Sequence, residues 1–336
     1  MVSKILVTGG CGYIGSHTTL VLLEAGYEVV ILDDLSNSKV EPLVRVEKLT
    51  GKCPELVVGD IRDRGTLTDI FRTHNIDAVM HFAGLKSVKE STEKPLDYFD
   101  VNVIGTLRLL ESMNEANVYK FVFSSSATVY GNPETMPIRE LFPLAPMSPY
   151  GVTKSHIEDT LRCLISSDKS WRAAILRYFN PAGAHYSGYI GEDPLGLPSN
   201  LLPFITKVAV GRLDKLSIFG NDYDTPDGTG IRDYIHVMDL ANGHLKALKA
   251  LDNHRIITCN LGTGVGHSVL EVINIFQQVT GIAIPYEIRP KRPGDVAESY
   301  TDPGSAQKLL NWRASLTLRD ICKDHWRWQN LNPDGY

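Results

Sequence analysis

Two residues four apart, Tyr150 and Lys154 in Tyr150-Gly-Val-Thr-Lys154, have the types and spacing of an acid–base pair. On a helix they share one face. A free tyrosine has a pKa of about 10, so taking a proton near neutrality requires lowering it by about three, roughly 4 kcal/mol. An ammonium one turn away, a helix N-terminus and a cationic cofactor ring all push that way. Alone, Tyr-x-x-x-Lys describes an ordinary helix surface, so its meaning depends on its position. The second candidate is Ser124-Ser-Ser126, which closes an apolar run. A hydroxyl at a strand end can hydrogen-bond a substrate oxygen while the tyrosine moves the proton. The competing reading is a plain strand-end turn.

The third motif binds rather than reacts. Thr8-Gly-Gly-Cys-Gly-Tyr-Ile-Gly15 places glycines at 9, 12 and 15. It follows a strand pattern and opens a helix pattern, the context in which such a turn cradles a pyrophosphate. Gly9 permits the tight turn, Gly12 the close approach of backbone to phosphate, and Gly15 close packing of helix on sheet. Asp33 ends the next apolar run, 21 positions after Gly12. A carboxylate there grips the adenosine ribose hydroxyls and repels a 2′-phosphate, which favours NAD over NADP. Asp60 and Ile61, after the third run, fall where the adenine edge should lie; a helix cap near Asp63 is the alternative.

These residues need a scaffold, and the chain supplies its pattern. Apolar runs at Lys4–Thr8, Glu28–Asp33, Glu55–Val58, Ala78–His81, Lys120–Ser125 and Ala173–Arg177 are nearly continuous, as in parallel strands buried on both faces. Helical stretches at Ile14–Ala25, Leu67–Arg72, Asp97–Ala116 and Tyr150–Ile165 lie between them. The rhythm predicts an α/β fold, a Rossmann-like doubly wound parallel sheet. Tyr150 and Lys154 then follow its fifth strand. After Phe179 the rhythm breaks. Helices are expected at Leu201–Gly211 and Val237–Leu251, a strand at Ile256–Leu261, and a helix opened by the capping box Ser268-Val-Leu-Glu271. Residues 1–179 read as the NAD-binding domain. Residues 180–336 read as a smaller α/β lobe over the carboxyl ends of the strands, with some elements returning to the sheet.

Bulk properties exclude other classes. The net charge of −5 gives no electrostatic case for nucleic acid. No apolar run can span a bilayer and no signal-peptide pattern opens the chain. The five scattered cysteines lack any Cys-x-x-Cys, as expected of reduced thiols in a cytoplasmic protein. No metal site is expected.

The glycine turn, His81-Phe-Ala-Gly84, Ser124–Ser126 and Tyr150–Lys154 together resemble the extended short-chain dehydrogenase/reductase superfamily. Phe82-Ala-Gly-Leu-Lys86, Ser126-Ala-Thr-Val-Tyr-Gly131, Arg177-Tyr-Phe-Asn180, Gly220-Asn-Asp-Tyr223, Gly230–Val237 and Arg292-Pro-Gly-Asp295 narrow the resemblance to its UDP-glucose 4-epimerase family. The resemblance runs from Lys4 to Tyr336. It implies NAD held by Gly9, Gly12, Tyr13, Ile14, Gly15, Asp33, Ser38, Asp60, Ile61, Phe82, Ala83, Gly84, Lys86, Ser124, Tyr150, Lys154 and Phe179. It implies a UDP-sugar held by Lys86, Ser126, Tyr150, Asn180, Asn200, Leu201, Phe219, Arg232, Arg292, Asp295 and Ser299. Arg232 and Arg292 suit a pyrophosphate and Phe219 the edge of a uracil ring. Asn200 as a helix cap and Phe219 as core are the plain alternatives. Val101 departs from the asparagine common at that position, beside Asn102, so no cofactor contact is carried over there. Asp34 also replaces a common asparagine.

The implied catalytic set is Tyr150, Lys154 and Ser126, acting on UDP-galactose and UDP-glucose in a homodimer. The small Ser299, where some members carry tyrosine, implies that UDP-GalNAc and UDP-GlcNAc are accepted too. Three other readings compete. A nucleotide-sugar dehydratase or decarboxylase would carry an acid after Ser126, where Ala127-Thr128 stands. A net dehydrogenase would have to exchange its cofactor. A non-catalytic NAD sensor would not need the Tyr150–Lys154–Ser126 set.

Overall fold

The computed structural model describes residues 3–336 except 197, 199 and 293. Pro293, inside the Arg292–Asp295 motif, therefore lies outside the described residues. The first half alternates strands and helices: β1 (Lys4–Thr8), α1 (Tyr13–Glu24), β2 (Glu28–Asp33), α2 (Glu41–Thr50), β3 (Glu55–Val58), α3 (Arg64–Thr73), β4 (Ala78–His81), α4 (Val88–Glu93), α5 (Pro95–Tyr98), a π-helical turn (Phe99–Ile104), α6 (Gly105–Glu115), β5 (Lys120–Ser126), a 3-10 turn (Ala127–Tyr130), α7 (Pro149–Ser167) and β6 (Arg172–Tyr178). The remainder comprises β7 (Asn180–Ala182), α8 (Leu201–Ala209), β8 (Leu216–Phe219), β9 (Ile231–His236), α9 (Val237–Ala250), β10 (Ile256–Leu261), β11 (Gly266–Ser268), α10 (Val269–Thr280), β12 (Tyr286–Arg289), β13 (Glu298–Ser299), α11 (Gly304–Leu310) and α12 (Leu318–Leu331).

The main sheet has seven strands in the order β10-β6-β5-β4-β1-β2-β3. Every pairing in it is parallel. Its inner apolar runs are buried on both faces, one against α1 and α9, the other against α3, α6 and α7, whereas the edge strand β3, expected to be buried, has no buried residue and leaves Val58 exposed. The strand order reverses between β1 and β4. That places the glycine turn after β1 beside Phe82–Gly84 after β4, at the switch-point crevice where ligands bind.

Residues beyond Phe179 contribute to this sheet: β10 pairs with β6 and α9 packs on α1. The rest of the second half builds smaller sheets. β11, β9 and β13 run side by side with β7 also on β9, while β12 pairs with β8. A separate apolar cluster under them includes Leu202, Ile218, Tyr234, Phe276 and Ile321.

Three local expectations need correction. The helix expected over Asp97–Ala116 runs without a gap but widens into a π turn at Phe99–Ile104. There Asn102 is buried and bonds outward from the helix, to Leu85 and Thr153. An extra residue per turn accommodates such an inward side chain. The capping box at Ser268 is half made. Ser268 accepts from the Glu271 amide at 3.0 Å, but Glu271 Oε1 lies 2.7 Å from His267 Nδ1. A complete box occurs instead at Thr317 and Asp320, opening α12. The fifth strand also runs one residue further, through Ser126. Among the described residues, no helix is long and apolar enough to cross a membrane.

Candidate active site

The catalytic helix begins where chain chemistry dictates. Pro149 occupies its first turn, with φ preset for a helix, and the Ser148 hydroxyl accepts from the Gly151 amide at 3.2 Å. Tyr150 therefore lies in the first turn of α7 and Lys154 one turn later. Lys154 Nζ donates to the Ser124 carbonyl at 2.8 Å and lies over the Phe123 ring at 5.0 Å. Its distance to the Tyr150 ring centroid is 5.8 Å. Ser126 Oγ accepts from the Thr128 amide at 3.2 Å and the Thr128 hydroxyl at 3.0 Å. Both acceptor sites being used, its own hydrogen remains available to a third oxygen.

A buried ion pair locks this geometry. Arg177 on β6 donates to both carboxylate oxygens of Glu158 on α7, at 2.9 and 2.6 Å. Ser125, between the two site serines, donates to Glu158 at 2.6 Å. The pair thus fastens α7 to β5 and β6 one turn beyond Lys154. Asn102 adds a tie from the far side, donating to Thr153 Oγ1 at 3.2 Å, and Thr153 donates to the Tyr150 carbonyl at 2.7 Å.

At the glycine turn, Cβ atoms would collide with backbone. One on Gly9 would come within 2.6 Å of the Ala83 nitrogen, and one on Gly15 within 2.2 Å of the Gly9 oxygen. Gly12 opens α1 with no side-chain cap and no acid in the first turn. The amides of a helix start without a cap are free to meet an anion. Asp33 accepts from the Cys11 amide (2.9 Å), the Leu35 amide (3.0 Å) and the Ser38 hydroxyl (2.7 Å), so it joins the turn to the end of β2. Asp60 is held by Arg62, while Asp63 caps α3; the cap is a different carboxylate from the one proposed to face adenine. Ile61 is buried against α6, where Gly105 makes room for it. Phe82 packs its ring 4.8 Å from that of His244, and Phe179 is buried beside Val129 and Ile138. Tyr13 donates its hydroxyl to the Gly183 carbonyl at 2.7 Å, tying α1 to the loop after β7.

The second-half residues converge in two groups. Arg292 lies over the Phe219 ring at 4.5 Å and donates to Asp295 at 3.0 Å, and Arg232 lies 3.6 Å from the other Asp295 oxygen. Phe219 is half exposed, which sets aside its reading as core. Asn200 precedes α8 without capping it; its amide donates to Glu192 at 2.8 Å. Leu201 opens α8 beside it, packed on the second-half core. Asn180 begins β7, directly after Phe179. Ser299 pairs with Arg232 across β13 and β9, and the next residue, Tyr300, accepts from the Ile138 amide at 2.9 Å.

The chain as a whole is similar to known proteins. The family model described as GDP-mannose 4,6 dehydratase matches residues 6–325. A UDP-glucose 4-epimerase of Dictyostelium discoideum is 54% identical over 335 residues, covering 99% of this chain and 97% of the relative. One from Bacillus subtilis is also 54% identical, covering 99% and 98%. A Bifidobacterium longum UDP-glucose 4-epimerase, solved in complex with NAD+ and UDP, superposes with a TM-score of 0.97 at 49% identity over 99% of this chain and all of that one. The chain belongs to this dehydratase family and, within it, to the UDP-glucose 4-epimerases.

For an epimerase-family chain, the electrostatics of the tyrosine correct one sequence expectation. The neighbouring ammonium, the helix N-terminus and a cationic cofactor ring are together expected to lower the Tyr150 phenol. Burial instead pushes it up to about 12, with only the Ser126 hydroxyl pulling it down. Burial also holds Lys154 down at about 8. Lys154 Nζ is engaged by the Ser124 carbonyl, and desolvation dominates at both groups.

Sequence reasoning passed over Glu192. Its side chain is 1% exposed, its Oε1 lies 4.0 Å from Lys86 Nζ, and burial raises its carboxyl above the usual range. Among the described residues its Oε2 has no hydrogen-bond partner. The residue stands in Gly191-Glu-Asp-Pro194, where no periodicity marks a buried position.

Proposed function

We propose that the protein is a UDP-hexose 4-epimerase working with tightly held NAD. The observation that carries this reading is the convergence of Tyr150, Lys154 and Ser126 beside a glycine turn whose helix amides are uncapped. That cradle and the Asp33 carboxylate fit a dinucleotide, with Tyr13, Ile14, Ser38, Asp60, Ile61, Phe82–Gly84, Lys86, Ser124 and Phe179 around it. NAD held there supplies reversible hydride acceptance at the sugar C4, with no net redox change. Tyr150 takes the proton from the 4-hydroxyl, and Ser126 hydrogen-bonds the same oxygen. Lys154 orients the site through the Ser124 carbonyl and favours the phenolate. Arg232 and Arg292 hold the pyrophosphate, Phe219 the uracil and Asp295 the ribose, so the sugar ring is gripped mainly through UDP. It is free to turn its other face before the hydride returns, and C4 inverts.

The finer reading is that N-acetylated UDP-hexoses react too. Ser299 is small, and the neighbouring Tyr300 ring lies against Gly266. We also read the chain as a homodimer formed through α5–α6 and α7, where Leu96 and Ile104 are 80% and 41% exposed. The organisation that supports this function is an NAD domain of residues 1–179 and a UDP-sugar lobe of 180–336, with β10 and α9 returned to the sheet.

The family model favours a second reading, a 4,6-dehydratase. Against it, the group following Ser126 and bonded to it is the Thr128 hydroxyl, with no carboxylate to drive elimination. Proton NMR of UDP-galactose incubated with the protein separates the two. UDP-glucose is expected; a 4-keto-6-deoxy sugar would overturn the epimerase reading.

A further inference from the structure

The Gly191–Asp193 segment is seated by residues far away in sequence, Lys39 on one side and Trp328 and Tyr336 on the other. The Tyr336 hydroxyl accepts from the Gly191 amide at 2.7 Å and donates to the Gly191 carbonyl at 3.1 Å. The Tyr336 amide donates to Asp193 at 3.0 Å. Lys39, just after the Asp33–Ser38 contact, donates to Asp193 at 2.8 Å and to the Tyr336 carbonyl at 3.3 Å. The tyrosine ring itself is gripped, with the Arg45 guanidinium 4.9 Å above it and the Trp328 ring edge-on at 5.5 Å. Trp328 also lines the other side of the segment, since a Cβ on Gly191 would come within 2.4 Å of its ring.

What this seat holds in place is Glu192. A buried carboxylate with an unpartnered oxygen is expensive, and a chain left to itself would swing it to water. Here both neighbours of Glu192 are pinned, Gly191 by the Tyr336 hydroxyl and Asp193 by the Tyr336 amide and Lys39. The carboxylate is thereby kept on Asn200, at 2.8 Å, and near Lys86. We propose that Tyr336 is a positioning residue for UDP-sugar binding, acting through the Gly191–Asp193 segment to present Glu192 to Asn200 and Lys86. This rests on the reading of Asn200 and Lys86 as ligand-facing in an epimerase.

Tyr336→Phe tests it, because the ring keeps its Arg45 and Trp328 contacts while both Gly191 bonds are lost. Wild-type turnover of UDP-galactose is measured first; its absence would sink the epimerase reading, while calorimetric titration with UDP-galactose, expected to bind the variant about fivefold more weakly, still decides this proposal, and equal affinity would overturn it. Given that turnover, the variant should raise KM by about fivefold, the worth of one or two net hydrogen bonds. Its kcat and its content of bound NAD should stay at the wild-type level, the pattern of lost substrate binding. The Gly191 amide should exchange faster with solvent. In a Glu192→Ala background, Tyr336→Phe should add little, since its effect passes through that carboxylate. An unchanged KM, a parallel fall of kcat and bound NAD, unaltered Gly191 exchange, or full additivity with Glu192→Ala would each overturn the proposal.

Discussion

Lys154 Nζ is bonded to the Ser124 carbonyl at 2.8 Å, and so reaches the strand that ends in Ser126. That bond holds strand and helix in register, with the ammonium 5.8 Å from the Tyr150 ring centroid. The phenol, raised to about 12 by burial, needs the polar groups around it to give up its proton. Tyr150→Phe should therefore cost about 10²–10⁴-fold in kcat, the usual worth of a general base. Calorimetry should find UDP binding nearly unchanged. Near wild-type turnover would show that another group takes the proton.

The lowered Lys154 makes a prediction about stability. Its value in the folded protein is about 8 against an ordinary 10.5. Between those values the unfolded chain holds more protons, so the stability tied to this group rises with pH through that window. Lys154→Met removes the buried charge. The variant should be more stable than wild type at neutral pH, by something on the order of 2 kcal/mol, and the gap should close towards about pH 10. Urea unfolding at several pH values measures it. A gap that widens with pH would reverse the assigned sign.

Much of this site is legible in sequence because it depends on local patterns. Runs such as Lys4–Thr8 and Lys120–Ser126 carry unbroken apolar stretches, Ile5–Val7 and Phe121–Phe123, and a sheet covered on both faces is the fold that buries them. Gly9 and Gly15 are needed where backbone meets backbone. What stays hidden depends on partners far along the chain. Asn102 looks like any polar helix residue until its bonds to Leu85 and Thr153 are seen. Strand β9 carries Arg232 and Asp233, charges that argue against a strand, yet Asp233 is buried and satisfied by Thr263 and Gly264. Helix α2 is too rich in charge for its few buried residues, Pro42, Leu43 and Val46, to stand out. The rise in the Tyr150 pKa reflects burial, which no four-residue spacing contains.

The dimer reading gives a surface test. An exposed aliphatic residue at a subunit interface loses about 1.5–3 kcal/mol of burial when it is replaced by a charge. Ile104→Glu should thus shift light scattering towards a monomer at micromolar concentration without unfolding the chain. A wild type that is already monomeric there would contradict the dimer.

The proposed acceptance of N-acetylated substrates rests on Ser299. Filling a packed pocket with extra atoms costs typically 1–3 kcal/mol, or about 5–150-fold in rate. Ser299→Tyr should remove turnover of UDP-GalNAc selectively and spare UDP-galactose. No wild-type turnover of UDP-GalNAc, or equal loss of both activities, would refute the assignment.

The central claim is a closed redox cycle on NAD that the protein never releases. The direct measurement is conversion of UDP-galactose by purified protein with no NAD added, followed by denaturation and quantification of the nucleotide set free. The account predicts many turnovers to UDP-glucose, one NAD recovered for each chain, and no NADH accumulating in solution. Conversion that requires free NAD and builds up NADH in proportion to product would contradict it.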